Sequence, residues 1–155
     1  MTMASTPITQ VQSLDDALRW LDQVEQAGSV RSGTDWKMLA VFEHLAQSIE
    51  FSLDGFPEPK SVLFQQTAGS LAFSFFKWRG RMSHGLTEPI PGAPALTQQD
   101  AWKPGAQRLR AAIARFQAHT GPLQPHFAYG ALSRADYGLA HTFHIANHQD
   151  AIVVA

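Results

Sequence analysis

The stretch "AHTFHIANHQD", residues 140–150, carries three of the seven histidines in the chain. On a helix of about 3.6 residues per turn, His144 and His148 stand one turn apart on the same side, and His141 lies about a turn earlier near the same line. Imidazoles spaced in this way can each aim a nitrogen at one divalent ion about 2 Å away. Two ligands are too few. A catalytic type of site needs a third from elsewhere in the fold, with a position left for water or substrate. His44 is the best candidate, being the only histidine inside another strong helical pattern. The residues alone leave a plainer reading open, because an H-x-x-x-H spacing also arises by chance in a packed helix.

Two metal motifs are excluded. "HIANH" lacks the glutamate of H-E-x-x-H, and no Glu-x-x-His pair occurs, which argues against a ferritin-like di-iron centre. Around the histidines, Tyr137 and Ile152 extend the same helical edge, and Leu139, Phe143 and Ala146 fall on the other, so the imidazoles belong in a semi-buried setting where each needs a partner. Glu43, Tyr137 and His141 are the candidate catalytic groups. Glu43 and Gln47 flank His44 and could orient a ligand or a water, although Glu43 could equally be solvated. Tyr137 could donate to a substrate or simply pack. His141 is either a fourth ligand or a core histidine. His84 and His126 fall in loops, at a site rim or merely exposed. The aromatic group Phe73, Phe75, Phe76 and Trp78 reads as core or dimer contact rather than a ligand cage.

The elements that must position these residues are helical. A hydroxyl residue followed three positions later by aspartate marks three helix starts, at Ser13 with Asp16, Thr97 with Asp100, and Ser133 with Asp136. Leu14, Leu18, Leu21 and Val24 form the stripe of the first helix, which Gly28 stops. A second helix is expected from about Asp35 to Asp54, with Leu39, Phe42, Ala46, Ile49 and Leu53 on its main face. Ala40, His44, Ser48 and Phe51 share a second face, so this helix wants neighbours on both sides. A third is expected over Val62 to Lys77, weakened by Gly69. "SHGLTEPIPGAPAL" and "GPLQPHFAYGAL" read as loops. Another helix runs from Pro104 to a stop at Gly121, and the last begins after Ser133. No stretch alternates with period two and no repeat appears, so the predicted class is all-α, a four-helix bundle with an extra short helix and long loops. Residues 1–12 are expected as a flexible lead, and 13–155 as a single helical-bundle domain.

Composition narrows the function. At 155 residues one core is the default, and 45% hydrophobic with 16% charged residues leaves a thinly charged surface with room for a partner, a homodimer included. A net charge of −1 and only Lys77, Arg79 and Arg81 in the densest basic run argue against nucleic acid. With no cysteine, any metal must be held by nitrogen and oxygen. "MTMASTPITQ" lacks the features of a secretory signal, and "SLAFSFF" is far too short for a bilayer span, so no membrane association is expected and a cytoplasmic location is.

Three blocks, "DWKMLAVFEHLAQSIEFSLDGFPEPK", "FFKWRGRMSHGLTEPIPGAPAL" and "PHFAYGALSRADYGLAHTFHIANHQ", resemble the DinB/YfiT-like superfamily, in the bacterial branch catalogued as domain of unknown function 1569. The resemblance implies a four-helix bundle in which one histidine of the second helix and an H-x-x-x-H pair of the last hold a divalent metal, nickel or zinc before iron or manganese. His44, His144 and His148 match those positions. It also implies a small-molecule substrate and thiol-dependent S-transfer with a low-molecular-weight thiol, or hydrolysis. Here the last helix continues "HQDAIVVA", so Gln149 and Asp150 stand where a basic residue and a glycine would be expected. The ion would act as a Lewis acid, lowering the pKa of a bound water or thiol. The alternative is a non-catalytic bundle that binds a small molecule or partner, with the metal structural or absent.

Overall fold

The computed structural model describes residues 6–83 and 85–154. Five helices form among them: α1 (Leu14–Gln26), α2 (Met38–Asp54), α3 over 62–79, α4 (Lys103–Ala118) and α5 (Arg134–Gln149). Two three-residue strands, β1 (Val30–Ser32) and β2 (Ile152–Val154), pair antiparallel with Val30 opposite Val154. The class is all-α, with a bundle of α1, α2, α4 and α5 around one core.

Helix α2 is the central rod. Its stripe Leu39, Phe42, Ala46, Ile49 and Leu53 is buried, and so are Ala40, His44 and Ser48 on the second face. The core closes around it with Leu21 and Val24 from α1, Leu109 and Ile113 from α4, and Tyr137 and Ile145 from α5. Ser13 and Ser133 cap their helices, each Oγ accepting from the backbone N–H of Asp16 or Asp136. Arg115 grips Asp54 with two bonds and Arg108 meets Glu50, tying α4 to α2 along a solvated seam where such pairs add little stability.

Several expectations fail for identifiable reasons. No helix starts at Thr97, although the hydroxyl and Asp100 are in place. The Thr97 N–H donates to Glu43, Gln47 donates to the Pro94 carbonyl and Lys37 pairs with Asp100, so α2 draws this segment across itself and α4 begins only at Lys103. Helix α2 starts at Met38 rather than Asp35, after a turn in which the Trp36 N–H donates to Thr34. Ile152 is in β2 and does not extend the edge of α5. That short sheet carries no period-two signal that a three-residue strand could show. The far side of α5 is also not its core side: Leu139 is 41% exposed while the histidine edge is buried. Of the lead, residues 1–5 lie outside the described residues, and among 6–12 Ile8 and Val11 pack on the core. Val11 is buried, its N–H donates to Gln149, and the Gln149 amide donates to the Ile8 carbonyl.

Helix α3 lies outside the shared core. A π-turn, Gln65–Gly69, interrupts it, and Gly80, in the left-handed region at φ 78°, stops it. Only Gln65, Gly69 and Phe73 are buried, against the loop 124–132. A Cβ at Gly69 would stand 1.7 Å from the Ala128 carbonyl oxygen, so the helix approaches the loop backbone where no side chain fits. The glycine that weakens the helical pattern is therefore what lets α3 dock. Gly69→Ala is expected to destabilise the fold by about 1–3 kcal/mol through overpacking, as a lower denaturant midpoint with an unchanged slope. A midpoint equal to wild type would mean that the helix does not press on this loop.

Candidate metal centre

Antiparallel packing of α2 on α5 brings His44 to His144 and His148. Their exposures are 3%, 8% and 2%, and the three ring centroids form a nearly equilateral triangle with sides of 4.8, 5.0 and 4.9 Å. One nitrogen from each ring lies within 4.8 Å of the other two. The Nε2 atoms of His44 and His144 are 3.0 Å apart, close to the separation of about 3.0–3.4 Å for two imidazoles bound to one ion at about 2.1 Å with an angle between about 90° and 110°. Among the described residues this is the group of three or more histidine and acidic side chains that could hold a metal ion. Trp36 sets its ring edge-on to His44 at 5.2 Å. The β1–β2 pairing, extended by the Gly33 N–H donating to the Ala151 carbonyl, clasps the end of α5 to the segment leading into α2.

The centre forms part of the wall of a cavity of about 360 Å³. His44, Ser48, Ala140, His141 and His144 supply the helical wall. Met82, Pro89, Ile90 and Pro91 of one loop and His126, Phe127, Ala128 and Tyr129 of another supply the rest, with Lys60 and Glu88 also lining it. His148 is not among the lining residues, so the pocket meets the centre from the side of His44 and His144. Glu43 and Gln47, on α2, fasten the first loop through Thr97 and Pro94. Their place beside His44 is therefore used to hold the roof, and Glu43 is not turned to the three-histidine group. His84 lies outside the described residues.

His126 is more than a loop residue at the rim. It is 9% exposed and stacks on Tyr129 with centroids 4.1 Å apart. Its Nδ1 accepts from the backbone N–H groups of both Ala128 and Tyr129, which puts the hydrogen of the neutral ring on Nε2. Tyr129, Lys60 and Glu88 have no sequence motif that would mark them, and they join the cavity only through the course of the loops. Burial raises the Tyr129 phenol to about 12.

Tyr137 and His141 share the edge of α5 but lie apart from the triangle. The Tyr137 hydroxyl donates to the Gln124 carbonyl at 2.5 Å, and burial holds its pKa far above the ordinary value. Ser52 Oγ donates to the Ile49 carbonyl and so accepts from His141 Nε2 at 3.1 Å. Phe116 meets the His141 ring edge-on and Tyr137 stacks on it. Burial lowers the His141 pKa to about 3, which keeps the ring neutral in the folded chain. Unfolding restores an ordinary value near 6.5, so the unfolded chain binds the extra proton between about pH 6.5 and 3. The stability that His141 contributes is therefore present above about pH 6.5 and is lost as pH falls toward 3. Replacing His141 with Gln should flatten stability against pH in that window by up to about 1.4 kcal/mol per pH unit relative to wild type. Parallel curves from denaturant titrations at several pH values would show that the ring is charged in the fold.

Comparison with curated proteins and with solved structures returns no match. The family model described as "Protein of unknown function (DUF1569)" matches residues 4–154, nearly the whole sequence, and the chain belongs to that family.

Proposed function

We propose that the chain is a metal-dependent enzyme acting on a small molecule, with His44, His144 and His148 as the ligands of one divalent ion. The observation that carries this reading is the convergence of three buried imidazoles, from two helices, beside a cavity of about 360 Å³. The donor set fits such an ion: three nitrogen ligands are what open zinc sites use, and nickel and iron accept imidazole equally. The bundle topology and the positions of the three histidines support a relation to the DinB/YfiT-like superfamily. A bound divalent cation would supply Lewis acidity, which makes a water or thiol in contact with it a nucleophile near neutral pH.

The residues of the chain do the remaining work. His44 and His144 border the cavity while His148 backs them, so a substrate enters from one side. Met82 and Ile90, both buried, give the pocket dry walls that strengthen polar contacts inside it. His126, whose Nδ1 accepts from two backbone N–H groups, fixes the loop 126–129 as a wall of the same cavity. S-transfer with a low-molecular-weight thiol and hydrolysis both use these features, in a cytoplasmic setting.

Elemental analysis of protein purified without chelator or affinity-tag nickel tests the reading. About one equivalent of nickel, zinc, iron or manganese per chain is expected. His44→Ala, His144→Ala and His148→Ala should each weaken binding by more than the roughly 10–100-fold that loss of a supporting neighbour costs, with His141→Ala below them. Occupancy should also fall once pH drops below about 6, because coordinating imidazoles must be unprotonated. Less than about a tenth of an equivalent, unchanged on adding zinc or nickel, would instead assign the cavity to a non-catalytic binding bundle. With metal-loaded protein, consumption of an electrophile only when thiol is present would identify transfer, and turnover without thiol would identify hydrolysis.

A further inference from the structure

Helix α3 turns a second stripe outward. Leu63, Leu71, Phe75 and Trp78 are 73%, 71%, 49% and 81% exposed, with Val62 beside them at 64%. Thr67 falls between Leu63 and Leu71, so the stripe advances by four, four, four and three residues. A regular α-helix would rotate this spacing off one line, but the wider π-turn at Gln65–Gly69 keeps Leu63 in register with the residues after it. The docked stripe of Gln65, Gly69 and Phe73 lies on the opposite side of the same helix. The chain thus spends one face of α3 on its own loop and presents the other to solvent.

We infer that this outward stripe is a twofold interface with a second copy of the chain, the two α3 helices lying antiparallel. Residues 61–76 contain no charged side chain, an exposed run matching the charge-depleted core of a protein interface. A helix that lies on a lipid surface instead needs basic residues along its polar face. The exposed apolar side chains offer on the order of 600–800 Å², close to the roughly 800 Å² per partner of a standard interface and above the usual patch of a monomer. Charge sets the direction. Lys77, Arg79 and Arg81 follow the run, whereas before it Asp54 is held by Arg115 and Glu58 is offset by Lys60. A parallel pair would bring each basic end against its copy, whereas an antiparallel pair sets the two basic ends apart. The stripe centres near Leu71, where the twofold axis would pass.

Sedimentation velocity tests this on the full chain. Wild type should sediment at twice the chain mass of 17.0 kDa at concentrations up to about 100 μM, above the micromolar end for interfaces of this size. Leu71→Glu and Trp78→Glu should each give the single mass with unchanged far-ultraviolet circular dichroism, since both side chains are already exposed. The absence of native cysteine allows a second measurement that does not depend on those variants: oxidised Leu71→Cys should cross-link to its own copy while Trp78→Cys should not. The single mass for wild type throughout, or dimers that survive both glutamate variants, overturns the interface. Cross-linking at position 78 and not at 71 overturns the antiparallel arrangement. A wild-type monomer that pellets with vesicles of anionic lipid would overturn the proposal and give the face to a membrane surface.

Discussion

Polar burial at the contact between α2 and α5 constrains the rest of the fold. Helix α5 turns Tyr137, His141, His144, His148 and Gln149 inward beside Ala140 and Ile145 and leaves Leu139 at 41% exposure, so its buried face is far more polar than that of an ordinary amphipathic helix. Polar groups removed from water must find partners, and the surroundings are arranged around that demand. Ser52 faces His141, the Gln124 carbonyl meets Tyr137, and the stretch 8–11 exchanges hydrogen bonds with the Gln149 amide. His144 and His148 meet each other and His44 of α2. Sliding the two helices would cost these hydrogen bonds as well as the packing, so the polar contacts reinforce the register.

That register separates the histidines into two roles. The helices run antiparallel, so moving from His44 to Ser52 along α2 corresponds to moving back from His148 to His141 along α5. His141 therefore faces a hydroxyl rather than His44, and Phe116 and Tyr137 close around it. Tyr137, a turn earlier still, has passed beyond the end of α2 and meets the loop carbonyl of Gln124. Spacing on one helix puts all of these residues on one edge. Only the neighbouring helix decides which of them share a centre.

Much of this was legible in the sequence, and the gaps have physical causes. The periods of α1, α2 and α5 and the caps at Ser13 and Ser133 are local signals, and the structure keeps them. His44 could be singled out because it alone among the histidines sits on the second face of a strong helix. Thr97 and Asp100 satisfy the same local rule as the true caps, yet Glu43 and Lys37 outcompete the helix for them, and no local pattern records such distant partners. The two strands are too short for alternation to be seen. The cavity walls are the least legible part, since Tyr129, Lys60 and Glu88 meet through irregular backbone whose course depends on hydrogen bonds such as Lys60 N–H to the Phe127 carbonyl.

The loop 124–132 links the two halves of the molecule that lack a common core. On one side it carries His126, Phe127 and Tyr129 to the cavity, and on the other it receives α3 through Gln65, Gly69 and Phe73. The π-turn coincides with this contact, for Gln65 and Gly69 are its first and last residues and both are buried. One widened turn thus serves two demands. It sets a glycine against the Ala128 carbonyl, where the wall of the cavity is closest, and it holds the outer apolar side chains on one line. The wall of the cavity and the outward stripe are fixed by the same turn, so displacing α3 from this loop would disturb both together.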